Sequence, residues 1–328
     1  MDRKRTTIIV VLGMAGCGKT TFAQRLYSWL SEKHCRINRE TGMNDEVFGA
    51  NLDPACLATK MPLHYDIREI ISVADLMERK KLGPNGAILT SLNLFVLQID
   101  AFIKEIEKTS PRYVVIDTPG QVEMFTTSTS GYLLTKCLAK SPNTQVRMLY
   151  VVDGEKAQSQ QCFVSNMVFA SSVRMRFQEE VSIVVNKADF EHADTVEKWT
   201  RDFDLFLNSL AQEETISPTL RSIALWMEEF YNNFEIFHVS SVLGTGKSAL
   251  LHSLSAEEAS GVEGAGGAKD GDMSKIKDGM RGDAMREDGM RGDETRDNAI
   301  RENSSKTRQT LEDIQNKVND IAISGGKD

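Results

Sequence analysis

Near the start of the chain, Gly13-Met14-Ala15-Gly16-Cys17-Gly18-Lys19-Thr20 stands between the unbroken apolar run Ile8-Ile9-Val10-Val11-Leu12 and the helical spacing of Phe22, Leu26, Trp29 and Leu30. A G-x-x-x-x-G-K-[ST] segment that leaves a strand and opens a helix fits few folds, because its glycines let the backbone curl around an anion. Successive N–H groups then face inward at a helix N-terminus, where the helix dipole favours negative charge. Taken alone, the octapeptide would be a glycine turn ahead of a helix; the flanking strand and helix favour phosphate. Candidate phosphate-binding residues are therefore Gly16, Cys17, Gly18, Lys19, Thr20 and Thr21, with Lys19 directed to the β- and γ-phosphates and the Thr20 hydroxyl suited to Mg²⁺.

Further β-branched runs at 47–52, 113–116, 148–152, 182–185 and 236–239 join 7–12 as candidate strands. Most are apolar throughout, as strands covered on both faces are, and long connections separate them. The expectation is an α/β fold of the P-loop NTPase type, a mainly parallel β-sheet flanked by helices. From about 194 to 233 the pattern is helical only, with Trp199, Phe203, Phe206 and Leu210, then Leu220, Ile223, Trp226 and Phe230. A helical insertion over about 192–234 is expected before the last strand.

Composition breaks near residue 255 of the 328. Residues 255–328 contain no Phe, Trp, Tyr or Pro and carry 12 basic against 17 acidic side chains. So little apolar surface cannot offset chain entropy, so a mostly disordered, low-complexity charged tail is expected after a folded domain at 1–254. Within it 277–286 recurs as 287–296, and Leu311, Ile314, Val318 and Ile321 have the spacing of a short amphipathic helix. The formal charge of −8 argues against a broad nucleic-acid footprint. No run approaches the ~18–20 apolar residues of a membrane span, and the one at 8–12 is too short for a signal-peptide core. A soluble intracellular protein with no direct nucleic-acid or membrane contact is expected. Cys17, Cys35, Cys56, Cys137 and Cys162 show neither C-x-x-C nor zinc spacing, which predicts reduced thiols.

Three more segments carry chemistry. Asp117-Thr118-Pro119-Gly120-Gln121 follows the apolar run 113–116; a carboxylate there can hold Mg²⁺ through its water shell, the Gly120 N–H can meet the γ-phosphate, and Gln121 can orient an attacking water. Asn186-Lys187-Ala188-Asp189 follows the run 182–185 and reads guanine, because the Asp189 carboxylate would accept from N1–H and the 2-amino group, which adenine lacks. The Lys187 stem would lie along the base, and Ser241, after the last strand, could offer its N–H to guanine O6. Gly83-Pro84-Asn85-Gly86 is by itself a turn signal. Gly244-Thr245-Gly246-Lys247-Ser248 lacks the first glycine of a phosphate loop, Ser241 standing there, and is expected to be a loop into a terminal helix.

The set Gly13–Thr21, Asn51-Leu52-Asp53-Pro54-Ala55, Gly83-Pro84-Asn85, Asp117–Gln121 and Asn186–Asp189, in that order over about residues 5–254, resembles the GPN-loop GTPases, with the best fit to the eukaryotic GPN1 branch. The resemblance implies GTP as substrate, Mg²⁺ as cofactor, and a homodimer or a heterodimer with a related GPN-loop GTPase. It also implies that Gly83, Pro84 and Asn85, in a GPN loop at about 81–88, reach the partner's nucleotide. Asp53 would then act near Mg²⁺ as base or ligand, so Thr20, Asp53 and Asp117 form the metal set and Lys19, Asp53, Asn85 and Gln121 the catalytic set. For this branch it implies assembly and nuclear import of RNA polymerase II, polymerase subunits or assembly factors as partners, and a cytoplasmic protein that shuttles to the nucleus. Two other readings remain at this point: a P-loop nucleotide or nucleoside kinase, for which no arginine-bearing lid is visible, and a nucleotide-dependent assembly scaffold with little turnover.

Overall fold

The computed structural model describes residues 5–141, 143–191, 193–212, 222–224, 227 and 234–260. Its elements run β1 (Thr6–Gly13), α1 (Lys19–Lys33), β2 (Val47–Asn51), β3 (Tyr65–Asp66), α2 (Val73–Lys80), α3 (Pro84–Val96), α4 (Ile99–Thr109), β4 (Tyr113–Asp117), α5 (Val122–Thr126), α6 (Thr129–Lys140), β5 (Thr144–Asp153), α7 (Gln160–Phe177), β6 (Glu180–Asn186), α8 (Ala193–Arg201), α9 (Phe203–Gln212), β7 (Ile236–His238) and α10 (Lys247–Ser260).

The uninterrupted apolar runs become strands because each is covered on both faces. Along β1, Ile8, Val10 and Leu12 enter one core while Ile9 and Val11 enter the other, the period of two that a strand imposes. The first core is roofed by Phe95, Phe102, Phe125, Leu134, Phe163 and Phe206. The second lies under α1 and α10, through Phe22, Leu26, Trp29, Leu30, Leu250, Leu251 and Leu254. Each such side chain contributes about 1.5–3 kcal/mol by leaving water.

The seven strands form one sheet in the order β3-β2-β4-β1-β5-β6-β7, all pairs parallel. Parallel register brings every strand's carboxyl end to the same edge: Val11 and Asn51 both pair with Asp117, Gly13 with Val151, and Asp153 with Asn186. Ligands of open α/β sheets bind at that edge. Among the described residues no single helix is long and apolar enough to cross a membrane.

Three local expectations change. Gly83-Pro84-Asn85-Gly86 is a helix start, not a turn: Gly83 is the N-cap of α3 and Pro84 its first residue, where the missing N–H costs nothing. β3, only two residues long, has no periodic signal and went unpredicted. β5 begins at Thr144, four residues before its apolar run, because its first residues are half-exposed. The insertion contributes α8 and α9, whose Val196, Trp199, Phe203, Phe206 and Leu210 join the first core; Leu220, Trp226 and Phe230 lie outside the described residues. α10 continues to Ser260, past the change in composition, while the repeat, the 311–321 pattern and the rest of the expected tail also lie outside them.

Candidate nucleotide-binding site

β1 delivers the glycine loop and α1 receives it. Gly13, at φ +150°, could not be another residue: a Cβ there would stand 2.3 Å from the Val151 carbonyl oxygen. Gly18, at φ +86°, caps α1 in the left-handed region, and its Cβ would stand 2.6 Å from Asn186 Nδ2. The Lys19 side chain is buried and folds back over the loop, donating to the Met14 carbonyl at 2.9 Å and the Gly120 carbonyl at 3.3 Å. Thr21 is exposed at the loop's end.

β4 places Asp117 beside it. The Thr20 hydroxyl stands close enough to the Asp117 carboxyl to favour its ionised form, while the buried Asp117 Oδ1 has no hydrogen-bond partner. Burial pushes the Asp117 carboxyl up to about 6; Thr20 and Lys19 pull it down and the Asp53 charge adds to the rise. Asp53, after β2, is also raised by burial, against N–H donors from Ala55 and Gly120. Two mutually repelling carboxylates, one with a bare buried oxygen, fit a hard dication. Among the described residues no cluster of three or more His, Cys, Asp or Glu could hold a metal alone. Mg²⁺ suits such a place, taking one or two protein oxygens and completing its shell from phosphate and water.

Asp53 is held by Asn51 of its own motif and, behind it, by Asp66 and Arg68, which no motif marked. Asn51 accepts from the Asp53 N–H at 3.1 Å and donates to Asp66 at 2.9 Å, and Arg68 grips Asp66 through both carboxylate oxygens and reaches the Cys56 carbonyl at 2.8 Å. Burial alone would raise the Asp66 carboxyl, but these bonds hold it below its ordinary value.

On the other side of the loop, Asn186 Nδ2 donates to the Cys17 carbonyl at 3.0 Å, and Asn186 Oδ1 accepts from Ser241 N–H at 3.2 Å and Ser241 Oγ at 2.7 Å. Ser241 N–H is thus already committed to Asn186, so guanine O6 could only share it. Lys187, at φ +62°, donates to Asp153 at 2.7 Å. Gly18, Thr21, Asn186, Lys187, Asp189 and Ser241 line a cavity of about 280 Å³, with Phe190 and Val242 adding apolar wall. Arg25 of α1 fixes its rim by donating to the carbonyls of Ser241 at 2.7 Å and Val242 at 2.9 Å; a lone arginine among apolar helix positions was the only sequence signal for it.

A second cavity, about 470 Å³, opens where Met14, Ala15 and Cys17 face Gln121. Gln121, the N-cap residue of α5, lines this cavity across from the phosphate loop. Gly83, Pro84 and Asn85 are exposed at the start of α3 and line neither cavity.

A parallel sheet that carries a lysine-threonine phosphate loop, an aspartate beside that threonine and an Asn-Lys-x-Asp cavity to one edge defines a P-loop GTPase. A family described as "Conserved hypothetical ATP binding protein" matches residues 11–258. GPN-loop GTPase 1 of Schizosaccharomyces pombe is 36% identical over 77% of this chain and 69% of its own length, and GPN-loop GTPase 1 of Saccharomyces cerevisiae 37% identical over 73% and 62%. The chain belongs to the GPN-loop GTPase family. A solved structure of a GTPase from Pyrococcus abyssi in apo form shares the fold, with a TM-score of 0.64 and 24% identity, covering 77% of this chain and 97% of that one.

Proposed function

We propose that the protein binds Mg²⁺·GTP and hydrolyses it to GDP and phosphate as a dimeric switch. The observation that carries this reading is the Thr20–Asp117 pair with its bare carboxylate oxygen on one side of the phosphate loop that holds buried Lys19, with a cavity lined by Asp189 on the other. Lys19 would release the Met14 and Gly120 carbonyls and take phosphate oxygens. Thr20, Asp117 and Asp53 would hold Mg²⁺, which neutralises charge on the β- and γ-phosphates when bound. Gln121 orients the water, with Asp53 close enough to the Gly120 N–H to accept from it.

Selection of GTP over ATP rests on Asp189, since an unpaired carboxylate against adenine would be costly. The exposed Gly83-Pro84-Asn85 segment supports a role in trans, its amide being offered to a partner's γ-phosphate and water. Assembly and nuclear import of RNA polymerase II, in a cytoplasmic protein that shuttles, is the client role that the family resemblance supports. Single-turnover GTP hydrolysis measured over a range of protein concentration tests the core of the reading: a rate that rises with dimerisation is expected, and a rate independent of concentration overturns catalysis in trans.

A further inference from the structure

Lys156 stands at the phosphate loop although no motif announces it. Just past β5, the Asp153 carboxylate accepts from the N–H groups of Glu155 at 3.2 Å and Lys156 at 3.4 Å, fixing the turn that carries the lysine. The same carboxylate, 7% exposed, takes Lys187 Nζ at 2.7 Å and leaves Lys156 Nζ at 3.9 Å, the outer limit of ion pairing. Its charge is therefore matched mainly by Lys187, and Lys156, 65% exposed, is held weakly.

Gly16 shows where that ammonium sits. A Cβ built on Gly16 would lie 3.7 Å from Lys156 Nζ and meet nothing else within 4 Å. The cation thus rests against the crest of the phosphate loop on its bare side, and it lines the 470 Å³ cavity together with Met14, Ala15, Cys17 and Gln121. Glu123 lines the same cavity and is the one other carboxylate there besides Asp153.

We propose that Lys156 is a second phosphate-contacting cation of the GTPase reaction, reaching over Gly16 to the triphosphate from outside the loop while Lys19 holds it from within. This rests on the reading of the edge as a GTP site. In hydrolysis the water oxygen bonds to the γ-phosphorus as the bond from that phosphorus to the β–γ bridging oxygen breaks. The electron pair stays on the departing diphosphate, one water proton remains on the released phosphate and the other passes to solvent. A cation in the cavity shared with Gln121 stabilises the charge where it develops.

The test uses the full chain and its Lys156→Ala and Lys156→Arg forms, in single-turnover hydrolysis and in titrations with fluorescent GTP and GDP. Lys156→Ala should slow the hydrolytic step about tenfold or more, the low end for a partly solvated donor, and leave GDP affinity within about threefold, with Lys156→Arg restoring most of the rate. A Lys156→Ala rate within about twofold of the parent overturns the proposal and makes the residue a solvated partner of Asp153. An equal loss of GTP and GDP affinity at unchanged rate overturns it as well. If the unsubstituted chain bound no guanine nucleotide, the GTP reading itself would fail and Lys156 with it, an outcome that the parent alone reveals.

Discussion

The Lys19 ammonium and the Gly120 carbonyl are joined across the edge of the sheet at 3.3 Å, and the Gly120 N–H in turn favours the ionised form of the Asp53 carboxyl. A phosphate that takes Lys19 must therefore loosen the segment after β4, which couples occupancy of the loop to the positions of Gln121 and Asp53. Charge-assisted bonds contribute about 1.5–3 kcal/mol each, so Lys19→Met should weaken GTP binding by about tenfold to a hundredfold in an equilibrium titration. Unchanged affinity would remove phosphate from the loop.

Asp117 yields a prediction about acid. Its carboxyl ionises at about 6 in the fold against 3.8 ordinarily, because burial disfavours the charge. The ionised group therefore opposes folding above about pH 6, by about 3 kcal/mol on the conversion of 1.36 kcal/mol per pH unit. That penalty fades as pH falls from 6 toward 3.8, below which both states are protonated. Without nucleotide, Asp117→Asn should be more stable than the parent in urea melts at pH 7, the gap closing by about pH 4. With Mg²⁺ and GTP the order should reverse. A variant less stable than the parent at pH 7 would show that the bare oxygen is satisfied by some other means.

Much of this was legible because the strands are covered on both faces: Ile8–Leu12, Tyr113–Ile116 and Ser182–Val185 announce themselves by unbroken apolar character. Position within the sheet then put the motifs at one edge without further information. What the sequence hid is held by distant partners. Asn186 locks the phosphate loop through a bond spanning 169 residues, and β3 exists as two residues pinned by Asn51 and Arg68. Gly83-Pro84 misled for another reason: proline after glycine suits a turn and a first helical position equally, and Ala87, Ile88, Ser91, Leu92 and Phe95, buried on one face, decided for the helix.

The base cavity predicts a change of preference more than a loss of fold. Asp189 lines it beside Lys187 and Phe190, and no bond of the phosphate loop depends on its carboxylate. Asp189→Asn should lose GTP affinity by about two orders of magnitude or more and gain xanthosine triphosphate, whose 2-oxo group the amide can donate to. Competition between the two nucleotides for the variant measures it; retained GTP preference would move base recognition elsewhere in the cavity.

Asn85 is exposed as the second residue of α3, and neither cavity of its own chain includes it. Its removal should leave melting unchanged to within about 0.5 kcal/mol and GTP affinity nearly intact, while hydrolysis slows by roughly tenfold or more, the loss of an oriented donor. Trans action makes a sharper claim. Lys19→Met holds nucleotide weakly but keeps Asn85, and Asn85→Ala holds nucleotide but lacks the amide. Each should be slow alone, yet a mixture of the two should recover hydrolysis through mixed dimers whose one competent site receives Asn85 from the neighbour. Recovery that grows with the fraction of Lys19→Met added is the expected result in a homodimer, and a mixture no more active than Asn85→Ala by itself would leave Asn85 as an exposed residue in the first turn of its helix.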